Sequence, residues 1–92
     1  MSEKFQIAET ITFSKKLARD KSLGKVYKKI SDYIYPILRI NPYFGPNIKR
    51  LKGELSEFYR YRIGDYRLFY QISEEKVIVF ILDLSHRSSA YK

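Results

Sequence analysis

No cysteine occurs in the sequence. Disulfide staples, thiolate nucleophiles and thiolate metal ligands are therefore excluded, and the redox compartment is left open. A single histidine stands among ten scattered carboxylates, which suggests neither a zinc site nor a two-metal cluster. No cofactor is expected, and any hydrolytic chemistry is expected to be metal-independent. No apolar run approaches membrane-spanning length, and the N-terminal MSEKFQIAET has no signal-peptide core. No membrane partner is expected, and the default location is the cytoplasm. Internal repeats, low-complexity tracts, a Gly-rich phosphate loop and a Gly-x-Ser-x-Gly elbow are all missing. Acid is scarce too: ten Asp and Glu stand against 18 Lys and Arg, a formal net charge of +8.

What is present is aromatic and basic. Nine Tyr and six Phe within a 45% hydrophobic composition argue against a disordered chain and for a core rich in rings. Ninety-two residues suit one domain spanning 1–92, with a thin margin of stability. The excess of positive charge favours nucleic acid, an anionic surface or an acidic protein as partner. Solubility alone would also account for a charge of this size.

Residues 59–70, YRYRIGDYRLFY, read as two alternating strands joined at Gly64-Asp65, a Gly-X loop of the kind β-hairpins favour. Pairing outward from the loop sets Ile63 opposite Tyr66, Arg62 opposite Arg67, Tyr61 opposite Leu68 and Arg60 opposite Phe69. Alternation then puts Tyr59, Tyr61, Ile63, Tyr66, Leu68 and Tyr70 on one face and Arg60, Arg62 and Arg67 on the other. Like charges facing each other across a sheet destabilise it. The arginine face is thus a poor scaffold and a good phosphate holder.

Along the rest of the chain, residues 4–8 are a weak first strand with Phe5 and Ile7 on one side. Thr10 or Thr12 offers an N-cap to a short amphipathic helix over 11–20, with Phe13 and Leu17 inward. Residues 23–40 repeat Leu23, Val26, Tyr27, Ile30, Tyr33, Ile34, Ile37 and Leu38 at helical steps, a stripe wide enough to cover a sheet. Pro36 forces a kink or a fresh helical turn near Tyr35. The 41–47 loop, NPYFGPN, is a connector, and 48–54 is a basic run holding Lys49, Arg50 and Lys52. A tight turn at Glu74-Glu75 leads to residues 76–84, KVIVFILDL, apolar enough for a strand covered on both faces. The expected fold class is α+β, in the order β-α-α-β-β-β, an antiparallel sheet with two helices packed on one face.

The arginine face suits a reaction in which negative charge grows on a phosphate, because guanidinium groups bind phosphate bidentately and keep their charge. RNA cleavage by its own 2′-hydroxyl is such a reaction and needs no metal. Candidate proton carriers are His86, by intrinsic pKa, Tyr91, and Lys52 if neighbouring arginines lower its pKa. Tyr91 is equally suited to stacking on a base. The last strand, antiparallel to the one before it, is expected to bring His86 and Arg87 near the arginine face. Lys25, Lys28 and Lys29 make either a solvated helix face or a docking surface for an RNA backbone, as do Lys49, Arg50 and Lys52 in the basic run.

The runs LKGELSEFYRYRIGDYRLFYQI and VIVFILDLSHRSSAYK resemble the RelE/ParE superfamily of type II toxins, most of all the RelE branch with its archaeal members. The resemblance implies a ribosome-dependent endonuclease that cuts mRNA in the ribosomal A site, touches rRNA, and is neutralised by a cognate antitoxin in a heterodimer or heterotetramer. By position, Arg60 and Arg62 fall where such enzymes place basic strand residues, Arg67 on the third-strand arginine, Arg87 on the arginine after the last strand, and Tyr91 on the C-terminal tyrosine. Three departures stand out. Both second-strand positions are arginine, too basic to act as general base; the 41–47 loop has no glutamate; and Tyr66, not histidine, precedes Arg67. The same scaffold also serves ParE-like toxins, which bind DNA gyrase and do no chemistry, and a purely binding relative is a third reading.

Overall fold

A computed structural model of the chain describes residues 4–52 and 58–86. Their elements run β1 (Gln6–Glu9), α1 (Ile11–Arg19), a 3-10 turn (Lys21–Leu23), α2 (Gly24–Lys29), a π-helical stretch (Ile30–Ile34), α3 (Tyr35–Ile40), β2 (Ile48–Arg50), β3 (Phe58–Ile63), β4 (Tyr66–Ser73) and β5 (Ile78–His86). The strands form one sheet in the order β1-β5-β4-β3-β2, and the helical layer covers one of its faces. This is the α+β arrangement the sequence predicts, with two differences. Strand β2 is additional, a three-residue edge strand too short to show an alternating pattern. The sheet is also mixed: β1 pairs with β5 in parallel, while β2 through β5 are antiparallel. Tight turns impose antiparallel pairing on β3, β4 and β5, but β1 reaches β5 through the whole helical layer and escapes that constraint.

The central hairpin has the predicted register, residue for residue, from Arg60 opposite Phe69 to Ile63 opposite Tyr66, and the pairing continues to Tyr59 opposite Tyr70. Gly64 takes a φ of +56° while Asp65 does not join the positive-φ residues, the pattern of a two-residue turn with glycine first. A Cβ at Gly64 would meet no atom within 4 Å, so only the backbone conformation selects glycine. Gly64→Ala is expected to cost about 1 kcal/mol, the left-handed penalty for an L-residue, and Gly64→Asn less; urea titrations of the two variants would check the order.

Helix α1 starts at Thr10, whose Oγ1 accepts from the Phe13 N–H at 3.3 Å and donates to the Ile81 carbonyl at 2.7 Å. One side chain thereby caps the helix and ties it to β5. The helix ends at Asp20, whose carboxylate accepts from the Ser22 N–H at 3.0 Å and opens the 3-10 turn. Pro36 acts as predicted. It cannot donate to the helical ladder, and just before it the helix widens, the Tyr35 N–H reaching back five residues to the Ile30 carbonyl. A new helix then begins at Tyr35 with Pro36 in its first turn, where a missing N–H costs nothing.

The apolar stripe of this segment is only partly used. Leu23, Ile30, Ile34 and Leu38 are buried, but Tyr33 and Ile37 are 68% and 44% exposed. Eight apolar positions span more of the helix circumference than one sheet face can cover. Beneath the helices lie Tyr61, Ile63, Leu68, Tyr70, Val79, Ile81 and Leu84, which make the tyrosine face of the hairpin the core face. The rings of Phe5, Tyr43, Tyr59 and Tyr70 follow one another at centroid spacings of 5.7–6.0 Å. The Tyr70 hydroxyl donates to the Pro42 carbonyl at 2.7 Å, which pins the 41–47 connector to the core. Burial pushes the pKa of this phenol well above its usual value, so it remains a donor.

The last turn is longer than the predicted pair Glu74-Glu75. Ser73 pairs with Ile78, which leaves Glu74 to Val77 in the turn, and Val77 has a φ of +57°. A β-branched residue in the left-handed region is strained and cannot extend the strand, so β5 begins at Ile78 and not at Lys76.

Candidate nucleic-acid interface

The sheet face opposite the helices is built row by row from the strand registers. Arg62 of β3 stands across from Arg67 of β4, which stands across from Ser85 of β5. Two residues along, Lys49 of β2 faces Arg60, Arg60 faces Phe69, and Phe69 faces Asp83. Beyond them Phe58 faces Gln71 and Gln71 faces Phe80. Lys49 and Arg62 are exposed, whereas Arg60 and Arg67 are half-buried. Arg60 Nε is shut off from solvent and makes no hydrogen bond among the described residues. Two like-charge pairs, Lys49 with Arg60 and Arg62 with Arg67, thus lie side by side on one surface. Each opposes folding by a fraction of a kcal/mol, and each is relieved when an anion binds between its members.

The bulge in β5 decides what joins this surface. Phe69 faces Asp83 but Tyr70 faces Ile81, so Leu82 is an extra residue in β5. Ile81 and Leu84 are three positions apart, yet both are fully buried, which strict alternation forbids. The extra residue reverses the facing of everything after it. Ser85 therefore lies in the arginine row, and His86 lies across from Tyr66 on the helix-covered side. The expectation that His86 approaches the arginine face is corrected accordingly. Its ring meets Tyr66 edge-on at 5.1 Å and lines a cleft of about 320 Å³ with Lys16, Asp20 and Leu23.

The other predicted residues divide plainly. Lys49 joins the arginine face through β2, a place that no sequence pattern signalled. Arg50 faces Tyr59 and so points to the opposite side of the edge strand. Lys52 is exposed beyond the end of β2. Lys25, Lys28 and Lys29 lie exposed on α2, in the layer on the far side of the sheet, and Lys28 pairs with Asp32 at 3.5 Å. The structure does not bring these three lysines to the arginines. Arg87 and Tyr91 lie outside the described residues. Phe58, Phe69 and Phe80 are members of the face that went unnoticed as such. Alternation from Arg60 and Arg67 already marks Phe58 and Phe69, whereas Phe80 needed the β4–β5 register.

Beside the arginine row, Asp83 is occupied structurally. Where β1 stops, α1 covers the exposed edge of β5, and Lys16 Nζ donates to Asp83 Oδ1 at 2.8 Å. Ser85 Oγ donates to the other carboxylate oxygen at 3.1 Å, and the Leu84 N–H donates to Oδ1 at 2.8 Å. Burial pushes the Asp83 pKa up, but these donors and the Lys16 charge outweigh it, and the carboxyl is held below its usual value of 3.8. A depressed folded-state pKa adds stability above the unfolded value, about 3.9, and that stability is lost as pH falls through the folded value. The side chains of the pair are 35% and 41% exposed, so solvent screening limits the gain to about 0.5 kcal/mol. Asp83→Asn is therefore expected to lower unfolding free energy by about that amount at pH 7, and the difference from the parent should shrink as pH falls through the folded value. Paired urea titrations across the acid range measure it.

On the helix side, the Tyr27 and Tyr35 hydroxyls both donate to Glu9 Oε2, at 2.6 and 2.8 Å. Burial first, then the bond to Glu9, raises Tyr27 to about 12 and Tyr35 further still. These phenols hold β1 against the helices and cannot ionise near neutral pH. No helix among the described residues is long and apolar enough to cross a membrane.

Comparison with known proteins agrees with this arrangement. A protein of Methanocaldococcus jannaschii that carries the name RelE1 is 46% identical over 46 residues, a stretch covering 50% of this chain and 50% of that one. The chain thus matches about half the length of that relative. Among solved structures, the toxin-antitoxin complex RelBE2 of Mycobacterium tuberculosis contains a similar chain at 26% identity. The match has a TM-score of 0.74 and covers 90% of this chain and 98% of the other. The archaeal RelE-RelB complex of Pyrococcus horikoshii, also at 26% identity, has a TM-score of 0.68 with coverage of 91% and 96%. The family model for the ParE toxin of type II toxin-antitoxin systems matches residues 7–91, and the chain belongs to that family of toxins.

Proposed function

We propose that this toxin is a ribosome-dependent endoribonuclease that cuts mRNA in the A site of translating ribosomes and acts in the cytoplasm. The observation that carries the reading is the Arg62–Arg67 pair beside the Lys49–Arg60 pair on the sheet face left uncovered by helices. Attack of a 2′-hydroxyl on the adjacent phosphodiester gathers negative charge on the phosphate oxygens. Guanidinium groups already fixed at that position stabilise the charge without reorganising, an effect worth roughly 10²- to 10³-fold in rate per donor. Neighbouring basic residues, Lys49 and Lys52 among them, bind flanking phosphates of mRNA and rRNA. In this reading Arg87 adds a further cation and Tyr91 a proton or a stacking ring. His86, which faces the helix side, receives no role at the arginine row. The cognate antitoxin, in a heterodimer or heterotetramer, neutralises the toxin by shielding its basic surface; the RelE-RelB pairing of the similar structures supports this.

A second reading is favoured by the family match itself, which is to ParE toxins: a gyrase inhibitor without nuclease activity. The deciding experiment measures both outputs after induction. Message cleaved at discrete positions on translating ribosomes, with supercoiling intact, supports the nuclease; intact message with inhibited supercoiling replaces it with the gyrase reading.

A further inference from the structure

The uncovered sheet face is not uniformly basic. Next to the Arg62–Arg67 row stands Phe69, two residues from Arg67 on β4 and directly opposite Arg60. One further row on, Phe58 and Phe80 flank Gln71 from either side. All three phenylalanines are half-buried, although the core lies on the other face of the sheet. Rows on one face are separated by about 6.7 Å and neighbouring strands by about 4.8 Å. Phe69 therefore sits diagonal to both Phe58 and Phe80, and the three rings surround the Gln71 amide. Phosphate binding does not call for the rings, whose negative faces repel an anion, whereas the Gln71 amide can donate to a phosphate or to a base. An unpaired base needs both: a flat apolar partner for its face and an amide for its edge. A duplex, whose bases are already stacked, has no use for the rings.

We propose that Phe69, with Phe58 and Phe80 around Gln71, is a stacking platform for unpaired bases, and that the ligand of this face is a single strand. Its phosphates lie on the arginine row and its adjacent bases lie over the phenylalanines. The proposal rests on the nucleic-acid reading of the arginine face and adds the residues that hold the bases of the strand.

The test uses a 2′-O-methylated hexanucleotide, which lacks the attacking hydroxyl and stays intact, and inorganic tripolyphosphate, which has charge but no bases. Both are titrated at low ionic strength against the full-length chain. Phe69→Leu keeps an apolar side chain and removes the ring. It is expected to weaken hexanucleotide binding about 5- to 150-fold, the range for loss of one base–aromatic stack, and to leave tripolyphosphate binding unchanged. Phe69→Trp supplies the sole tryptophan of the chain; its fluorescence should be quenched by the hexanucleotide and not by tripolyphosphate or by a duplex of the same sequence. Equal binding of the hexanucleotide by parent and Phe69→Leu, or parallel loss of both ligands, overturns the platform. Arg67→Ala separates the two levels. If it weakens both ligands while Phe69→Leu weakens neither, only the platform falls. If Arg67→Ala weakens neither ligand, the reading of the arginine face falls and the platform with it.

Discussion

Arg67→Ala is expected to slow message cleavage on ribosomes about 10²- to 10³-fold, the cost of removing one preplaced donor from a charge-accumulating transition state. Arg67 is chosen over Arg62 because it is half-buried in the middle strand of the face, between Arg62 and Ser85. A charge held in that position is screened less by salt than one at the rim. Arg67→Lys should fall between parent and alanine variant, since it keeps the charge but loses the planar fork that binds two oxygens at once. Binding to a single strand should also become less salt-sensitive in Arg67→Ala, by about 0.7 in the slope of log K against log salt for one lost phosphate contact. Primer extension on message from translating ribosomes reads the rate, and a melting curve separates it from unfolding. A variant that melts like the parent and cleaves at the parental rate would remove Arg67 from the site.

The second large effect is on stability. Leu68 is fully buried, faces Tyr61 on one side and Leu84 on the other, and lies in sequence between Arg67 and Phe69. Leu68→Ala should cost about 3 kcal/mol, the transfer of the lost carbons plus the cavity left behind. In a domain of this size that lowers the melting temperature by about 12–24 °C. Against a total stability of about 5–15 kcal/mol the loss is serious but survivable at low temperature. There the folded fraction should retain its affinity for tripolyphosphate, because the backbone that places Arg67 on the other face is unchanged. Differential scanning calorimetry gives the first quantity and titration of the anion the second; affinity lost at full folding would mean that the two faces are mechanically coupled.

Much of this could be read from residue order. The hairpin register follows from Gly64-Asp65 and the alternation on either side, because a two-residue turn leaves one way to pair the strands. The break near Tyr35 follows from Pro36, and the burial of Phe5 and Phe13 follows from period alone. All of these depend on neighbours within a few residues. The place of Lys49 beside Arg60, the parallel docking of β1 on β5 and the exposure of Tyr33 and Ile37 depend on segments far apart in sequence.

His86 marks the boundary most clearly. Reading residues 76–86 with strict alternation from Val79 and Ile81 puts His86 on the arginine side, and only the extra residue Leu82 turns it away. Nothing local to KVIVFILDLSH announces that bulge. It arises because Ile81 and Leu84 must both reach the same core, under Tyr70 and Leu68, and burial of two large side chains, about 1.5–3 kcal/mol each, outweighs the pairing lost at one position. The sequence by itself determined the helical segments with their break near Pro36, the arginine hairpin and its charge, since these are set by local sterics and period. Only the tertiary structure decided which residues share the arginine face, since that depends on the register of strands brought together by a common core.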